Sequence, residues 1–302
     1  MSKAVGGEQR NRQHGDGLGL NLPHNPWMQA FLKRQHDKGH EIGNHGGWIH
    51  NVYGDQANEG NAPAFEHYLD QNNASVRAAI GTGVKAYSAP MGNQPTWATA
   101  WLVQQGFKGY YAASDSGLGP TRSFIHERPA PASGLWTFPI SNFQRIATFD
   151  ELEEHGMTEA QISDFLGQLL RHVSEQHIAR LFYFHPSATT HFQSTLRAIQ
   201  TQVQGLKANA QFRWYSMAEL SDFMNRRQGV QWHIHSLKAP RQLEMAVSSA
   251  SSLQDMTWVF PAHSAQDIRI TEGQGTLRPS GQEWLLVAGD SQVLKVQWHR
   301  QP

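Results

Sequence analysis

Gly39-His40-Glu41-Ile42-Gly43-Asn44-His45, continued by Gly46-Gly47-Trp48-Ile49-His50, is the stretch on which the fold turns. Upstream, Asn25 reads as a helix cap and Pro26 as the first helical residue. Trp27, Phe31 and Leu32 follow at near-helical spacing, and Gly39 closes the helix. Glu41–His45 then reads as a short strand, so the stretch is a helix-to-strand unit whose strand ends on a histidine. His45 and His50 cannot share one face of a regular helix, because their spacing is well off the helical period. A loop has to bring them together, and Gly46-Gly47 permits one. Two histidines so placed can bind one divalent metal if a carboxylate completes the set.

The same alternation continues downstream. Helices are predicted at Ala64–Gln71, Ala74–Ile80 and Thr96–Gln105, with strands at Val84–Ala89, Phe107–Ala113 and Trp136–Ile140. Thr158 caps a long helix to about Gln176, with Glu159 and Gln161 in its first turn. Arg180–His185 is an apolar strand ending in histidine, residues 191–204 are helical, Phe212–Tyr215 is a strand and Met217–Arg227 a helix. Strands alternating with helices predict a mainly parallel sheet or an α/β barrel. Functional residues then belong at strand C-terminal ends, where His45 and His185 both fall.

After Gly229 the pattern changes. Val230–His235, Met256–Phe260, Asp267–Thr271, Glu283–Ala288 and Val293–Trp298 read as short strands separated by turns, a small all-β appendage. The expected organisation is a polar tail over 1–25, an α/β domain over 26–228 and a β-rich domain over 229–302.

Composition narrows the function classes. The chain of 302 residues has 39% hydrophobic residues, enough for a real core. Lys+Arg and Asp+Glu both count 25, a balance that argues against a nucleic-acid partner. It leaves a neutral glycan open, and ten Trp and seven Tyr fit sugar stacking. With no cysteine, thiolate metal sites and cysteine nucleophiles are excluded. Histidine, at 17, is in excess. No apolar run is long enough to span a bilayer, and the N-terminus carries no apolar signal core.

Gly39–His45 with a second histidine behind it resembles the second active-site motif of the NodB-type polysaccharide deacetylases, carbohydrate esterase family 4. The resemblance implies that His45 and His50 bind a divalent metal, zinc being the first expectation. Gly46-Gly47-Trp48-Ile49 separates them, one residue more than the family has. Tyr87-Ser88-Ala89-Pro90-Met91-Gly92-Asn93 is similar to the third motif, which forms one wall of the substrate groove. That implies contacts from Pro90, Met91 and Asn93, although the family has arginine where Ser88 stands. Asp115 falls where the fourth motif places an acid. Leu181-Phe182-Tyr183-Phe184-His185-Pro186 resembles the fifth motif, whose histidine is the general acid, here His185.

The resemblance covers roughly residues 26–227 and implies a distorted (β/α) barrel, incomplete at its N-terminus. It also implies a hydrolase that removes acetyl groups from a glycan, periplasmic or extracellular if an upstream signal has been lost. The family opens with paired aspartates, one the catalytic base and one the third metal ligand. Asp16 does not follow an apolar strand. Thr148-Phe149-Asp150-Glu151 matches that motif in letters but lies late, and reads instead as the start of the loop before the Thr158 helix. A non-catalytic glycan-binding remnant and a metal-independent amide hydrolase are the rival expectations.

Overall fold

The computed structural model describes residues 22–112, 119–125, 128–129, 134–143, 148–185, 188–208 and 212–301. The chain divides into two units, 1–221 and 222–302, and the division falls inside the helix Met217–Gln228.

The first unit is built on short strands. β1 (Ala86–Ser88), β2 (Gly109–Ala112) and β6 (Trp136–Pro139) run parallel in that order. Between β2 and β6 in the chain lie β3 (Thr121–Arg122), β4 (Phe124–Ile125) and β5 (Arg128–Pro129). β3 joins β6 antiparallel, while β4 and β5 form a separate ribbon. Single parallel bridges extend the array at both ends, Asn44 to Tyr87 and Ile140 to Leu181.

This corrects the expected (β/α) barrel: among the described residues no closed barrel is present. The parallel array runs from the Asn44 segment through β1, β2 and β6 to Leu181 and stops. Its strands pair over only three or four positions, and closure would need the two end segments to find a further strand. Glu41–His45 and Arg180–His185, read as strands, keep one bridge residue each, Asn44 and Leu181. Phe212–Tyr215 forms no strand.

Helices pack around this array. Pro26–Asp37 starts where expected, with Asn25 Oδ1 accepting from the Met28 amide at 3.1 Å. The two helices read over 64–80 are one, Ala62–Ile80, which buries Phe65, Leu69, Val76 and Ile80 along one face. With Tyr87, Trp101, Leu102 and Phe107 these form the main core. Thr148 and Thr158 both make full capping boxes, starting Phe149–Glu154 and Glu159–Glu175. Phe149, Leu152, Ile162, Leu166 and Phe192 form a second cluster. No described helix is long and apolar enough to cross a membrane.

The second unit is antiparallel. β7 (Gln231–Ser236), β8 (Gln242–Ser248), β9 (Thr257–Pro261), β10 (Ala265–Glu272), β11 (Gly275–Ser280), β12 (Glu283–Ala288) and β13 (Val293–Arg300) form two sheets. Their orders are β10-β13-β8-β7 and β11-β12-β9. Met245 and Val247 on β8 and Leu294, Val296 and Trp298 on β13 alternate inward, where they meet Phe260 and Leu286 of the other sheet.

Candidate functional site

The site is organised around Asn44, which is fully buried. Its amide donates to the Ala86 carbonyl at 2.9 Å and its carbonyl accepts from Ser88 N at 3.0 Å. Its side-chain Nδ2 donates to the Leu69 carbonyl at 3.1 Å, while Oδ1 accepts from Gly46 N at 3.0 Å and from Asn72 Nδ2 at 2.6 Å. Each polar group of this buried residue is therefore satisfied; the Gly46 bond closes the histidine-bearing turn on itself, and the other four tie it to β1 or to the helix Ala62–Ile80. An asparagine directly before the first histidine is the sequence signal for this anchor. The quoted motif contains it, but the sequence reading assigned it no role.

The turn after His45 needs its glycines. Gly46 and Gly47 have φ of 75° and 59°, the left-handed region. A Cβ on Gly46 would also lie 2.7 Å from Pro90 Cγ, and one on Gly47 2.6 Å from Asn72 Oδ1. This reversal feeds the helix His50–Gln56 and brings the two rings together, with His45 Nε2 and His50 Nε2 3.0 Å apart.

The opposite ring nitrogens fix what faces inward. His45 Nδ1 lies 2.9 Å from the Ser88 carbonyl oxygen and 2.6 Å from Ser88 Oγ. A carbonyl only accepts, so Nδ1 carries the hydrogen and Nε2 the lone pair. His50 Nδ1 donates likewise to Asn51 Oδ1 at 2.8 Å. Two lone pairs then face each other, an arrangement that needs a proton or a cation between them. Burial pulls His45 down to about 4, so it is neutral at pH 7 and disfavours the proton. Two nitrogens each about 2.0–2.1 Å from one tetrahedral ion lie roughly 3.3 Å apart, close to the observed geometry. The pair therefore fits a divalent metal, with an oxygen acceptor behind each ring of the kind that holds ligating histidines. No group of three or more His, Cys, Asp or Glu that could hold a metal ion is found among the described residues.

Ser88 thus serves His45 through both its carbonyl and its hydroxyl. Asn51 holds His50 in the same way. Replacing Asn51 by alanine is expected to weaken zinc affinity by roughly 10–100-fold without unfolding the chain, measured by calorimetric titration.

The turn Pro90–Gly92 lies beside this pair. Pro90 is buried over Gly46. Met91 adopts φ 52°, is 64% exposed, and passes against Gly54, where a Cβ would meet its sulfur at 2.6 Å. Asn93 Nδ2 donates to the carbonyls of Tyr53, Gly54 and Ala57 at 3.4, 3.1 and 2.8 Å. Its amide is spent on the end of the helix that begins at His50, so Asn93 anchors the wall, and Met91 is the member that presents a side chain to solvent.

His185 follows the Leu181 bridge. Its Nε2 lies 3.3 Å from Tyr183 Oη and its Nδ1 3.5 Å from Asp150 Oδ2. Protonation of His185 would work against protonation of His45. Tyr111 on β2 packs on Tyr183 with ring centroids 5.0 Å apart, and burial raises the Tyr183 hydroxyl. Asp115 lies outside the described residues, as does Asp16.

Glu41, also given no role from sequence, reaches the start of the helix Met217–Gln228. Its carboxylate accepts from the amides of Met217 and Ala218 at 2.9 and 3.0 Å. Burial nevertheless raises its pKa above the ordinary carboxylate value, against the lowering effect of those amides. A raised acid favours the folded state below its unfolded pKa, and that contribution is lost as pH rises through the folded pKa. Unfolding stability is therefore expected to fall across and just above the ordinary glutamate range, a slope that Glu41→Gln should flatten when urea midpoints are compared.

The chain matches no family model and no curated protein.

Proposed function

We propose that this chain is a metal-dependent deacetylase acting on N- or O-acetyl groups of a glycan. The observation that carries the reading is the convergence of His45 Nε2 and His50 Nε2, with each Nδ1 committed to an oxygen acceptor behind it. His45 and His50 would hold the metal. When bound, a divalent metal polarises an acyl carbonyl and lowers the pKa of water.

The chain's own residues supply the remaining parts. Asn44 and the Gly46-Gly47 reversal hold the two imidazoles in place. Pro90 and Met91 form a wall beside them, and the strained, exposed Met91 offers an apolar contact to an acyl methyl or a sugar face. His185, half exposed and electrostatically coupled to His45, delivers a proton to the leaving atom. The test is acetate release from an N-acetylglucosamine oligomer by the zinc-loaded chain. Acetate above background supports the reading. Glycan binding that is insensitive to chelator, with no acetate formed, would replace it with a binding module.

A further inference from the structure

The segment Thr148-Phe149-Asp150-Glu151 resembles an acidic active-site motif in letters and stands in the wrong part of the chain for it. Its place in the fold is informative. Phe149 is buried and stacks on Phe184, ring centroids 5.4 Å apart and 22° from parallel. Phe184 and His185 are neighbours, so this stack fixes the next residue of each segment against the other. Asp150 Oδ2 then lies 3.5 Å from His185 Nδ1. Glu151 is occupied differently: its carboxylate accepts from Thr148 N at 3.0 Å and closes the capping box. The groups facing His185 are Asp150 from the helix Phe149–Glu154 and Tyr183 from its own segment, and the neutral His45 ring lies within electrostatic range.

We infer that Asp150 and His185 form a dyad in which one histidine performs both proton transfers of the hydrolysis, Asp150 being its positioning residue. This rests on the deacetylase reading above. A carboxylate only accepts, so Asp150 holds the proton on Nδ1 and leaves Nε2 with the lone pair. Nε2 takes a proton from water as the water oxygen bonds to the acyl carbon. The carbon–nitrogen bond then breaks, and the same proton passes from Nε2 to the leaving nitrogen. Acetate and the free amine result, the remaining acid proton going to solvent. The separation of 3.5 Å is longer than a tight hydrogen bond, as is common before substrate closes a site.

The test uses the full zinc-loaded chain and an N-acetylglucosamine oligomer. Asp150→Asn is expected to lower kcat by roughly 10²-fold or more with KM unchanged, and Asp150→Glu to restore part of it. The double variant with His185→Ala should be no slower than His185→Ala alone, as for groups that act as a unit. Nitrogen-15 spectra of the metal-free chain should show the His185 ring held as the Nδ1–H tautomer, and a mixture in Asp150→Asn. An active chain whose Asp150→Asn variant keeps its kcat and its tautomer overturns the dyad alone. No acetate from the unaltered chain overturns the deacetylase reading, and the dyad's catalytic role with it.

Discussion

Replacing His45 with alanine is expected to abolish zinc binding at micromolar metal and to reduce acetate release to background. The ring supplies one of two inward nitrogens 3.0 Å apart, and its removal leaves His50 alone. Structural zinc sites are worth about 10–16 kcal/mol over four ligands, so one ligand accounts for roughly 3 kcal/mol, on the order of 10²-fold in affinity. A site with two protein nitrogens has less to lose before it fails altogether. The fold should survive, because the neighbouring Asn44 carries the bonds to Ala86, Leu69 and Ser88. Circular dichroism and urea midpoints separate loss of metal from loss of fold. A variant that folds and still binds zinc as tightly as the parent would remove His45 from the site.

The second large effect is expected at His185. His185→Ala should lower the rate by roughly 10²–10⁴-fold while leaving bound zinc unchanged. The two outcomes are separable because the ring is held by different elements from the metal pair. Asp150 and Tyr183 surround it, whereas Ser88 and Asn51 hold the other two histidines. The predicted signature is therefore full metal loading with lost turnover, read by zinc content and acetate release in one preparation. Equal loss of both would mean that His185 acts through the fold around the pair, and full retention of rate would remove it as the proton donor.

The helices of the first unit were legible where capping chemistry marks them. Asn25-Pro26 and Thr158 with Gln161 place starts that the structure realises bond by bond. Thr148-Phe149-Asp150-Glu151, expected to start a loop, instead caps the helix Phe149–Glu154. The break read between Gln71 and Ala74 is absent, because Asn72 and Asn73 sit inside one helix and Asn72 spends its amide on Asn44. A residue that favours turns locally is kept helical by a tertiary bond. The barrel was the main error. Apolar runs such as Arg180–His185 suggest a buried extended strand, but this one is half-buried with Phe184 exposed, and whether it gains a full ladder depends on distant partners that one strand cannot reveal. In the second unit β8 was not expected, although Leu243, Met245 and Val247 alternate with smaller or polar residues along it. β11 gave a weaker signal, with a glycine and a proline inside it.

The approach of His45 to His50 was legible from type and spacing, with the glycines between them explaining how the spacing closes. What held them was not. Asn44, Ser88 and Asn51 act through contacts that span both neighbouring and distant parts of the chain, and Glu41 reaches Met217 and Ala218. Asp150 is the clearest case, since its meaning depends on the stack of Phe149 on Phe184.

The most direct measurement follows acetate release from an N-acetylglucosamine oligomer before chelation, after it, and after zinc is restored. The account predicts activity that disappears with the chelator and returns with zinc in the parent chain, with no return in His45→Ala. Activity that persists through chelation and in His45→Ala would contradict it and mark a hydrolase that works without the histidine pair.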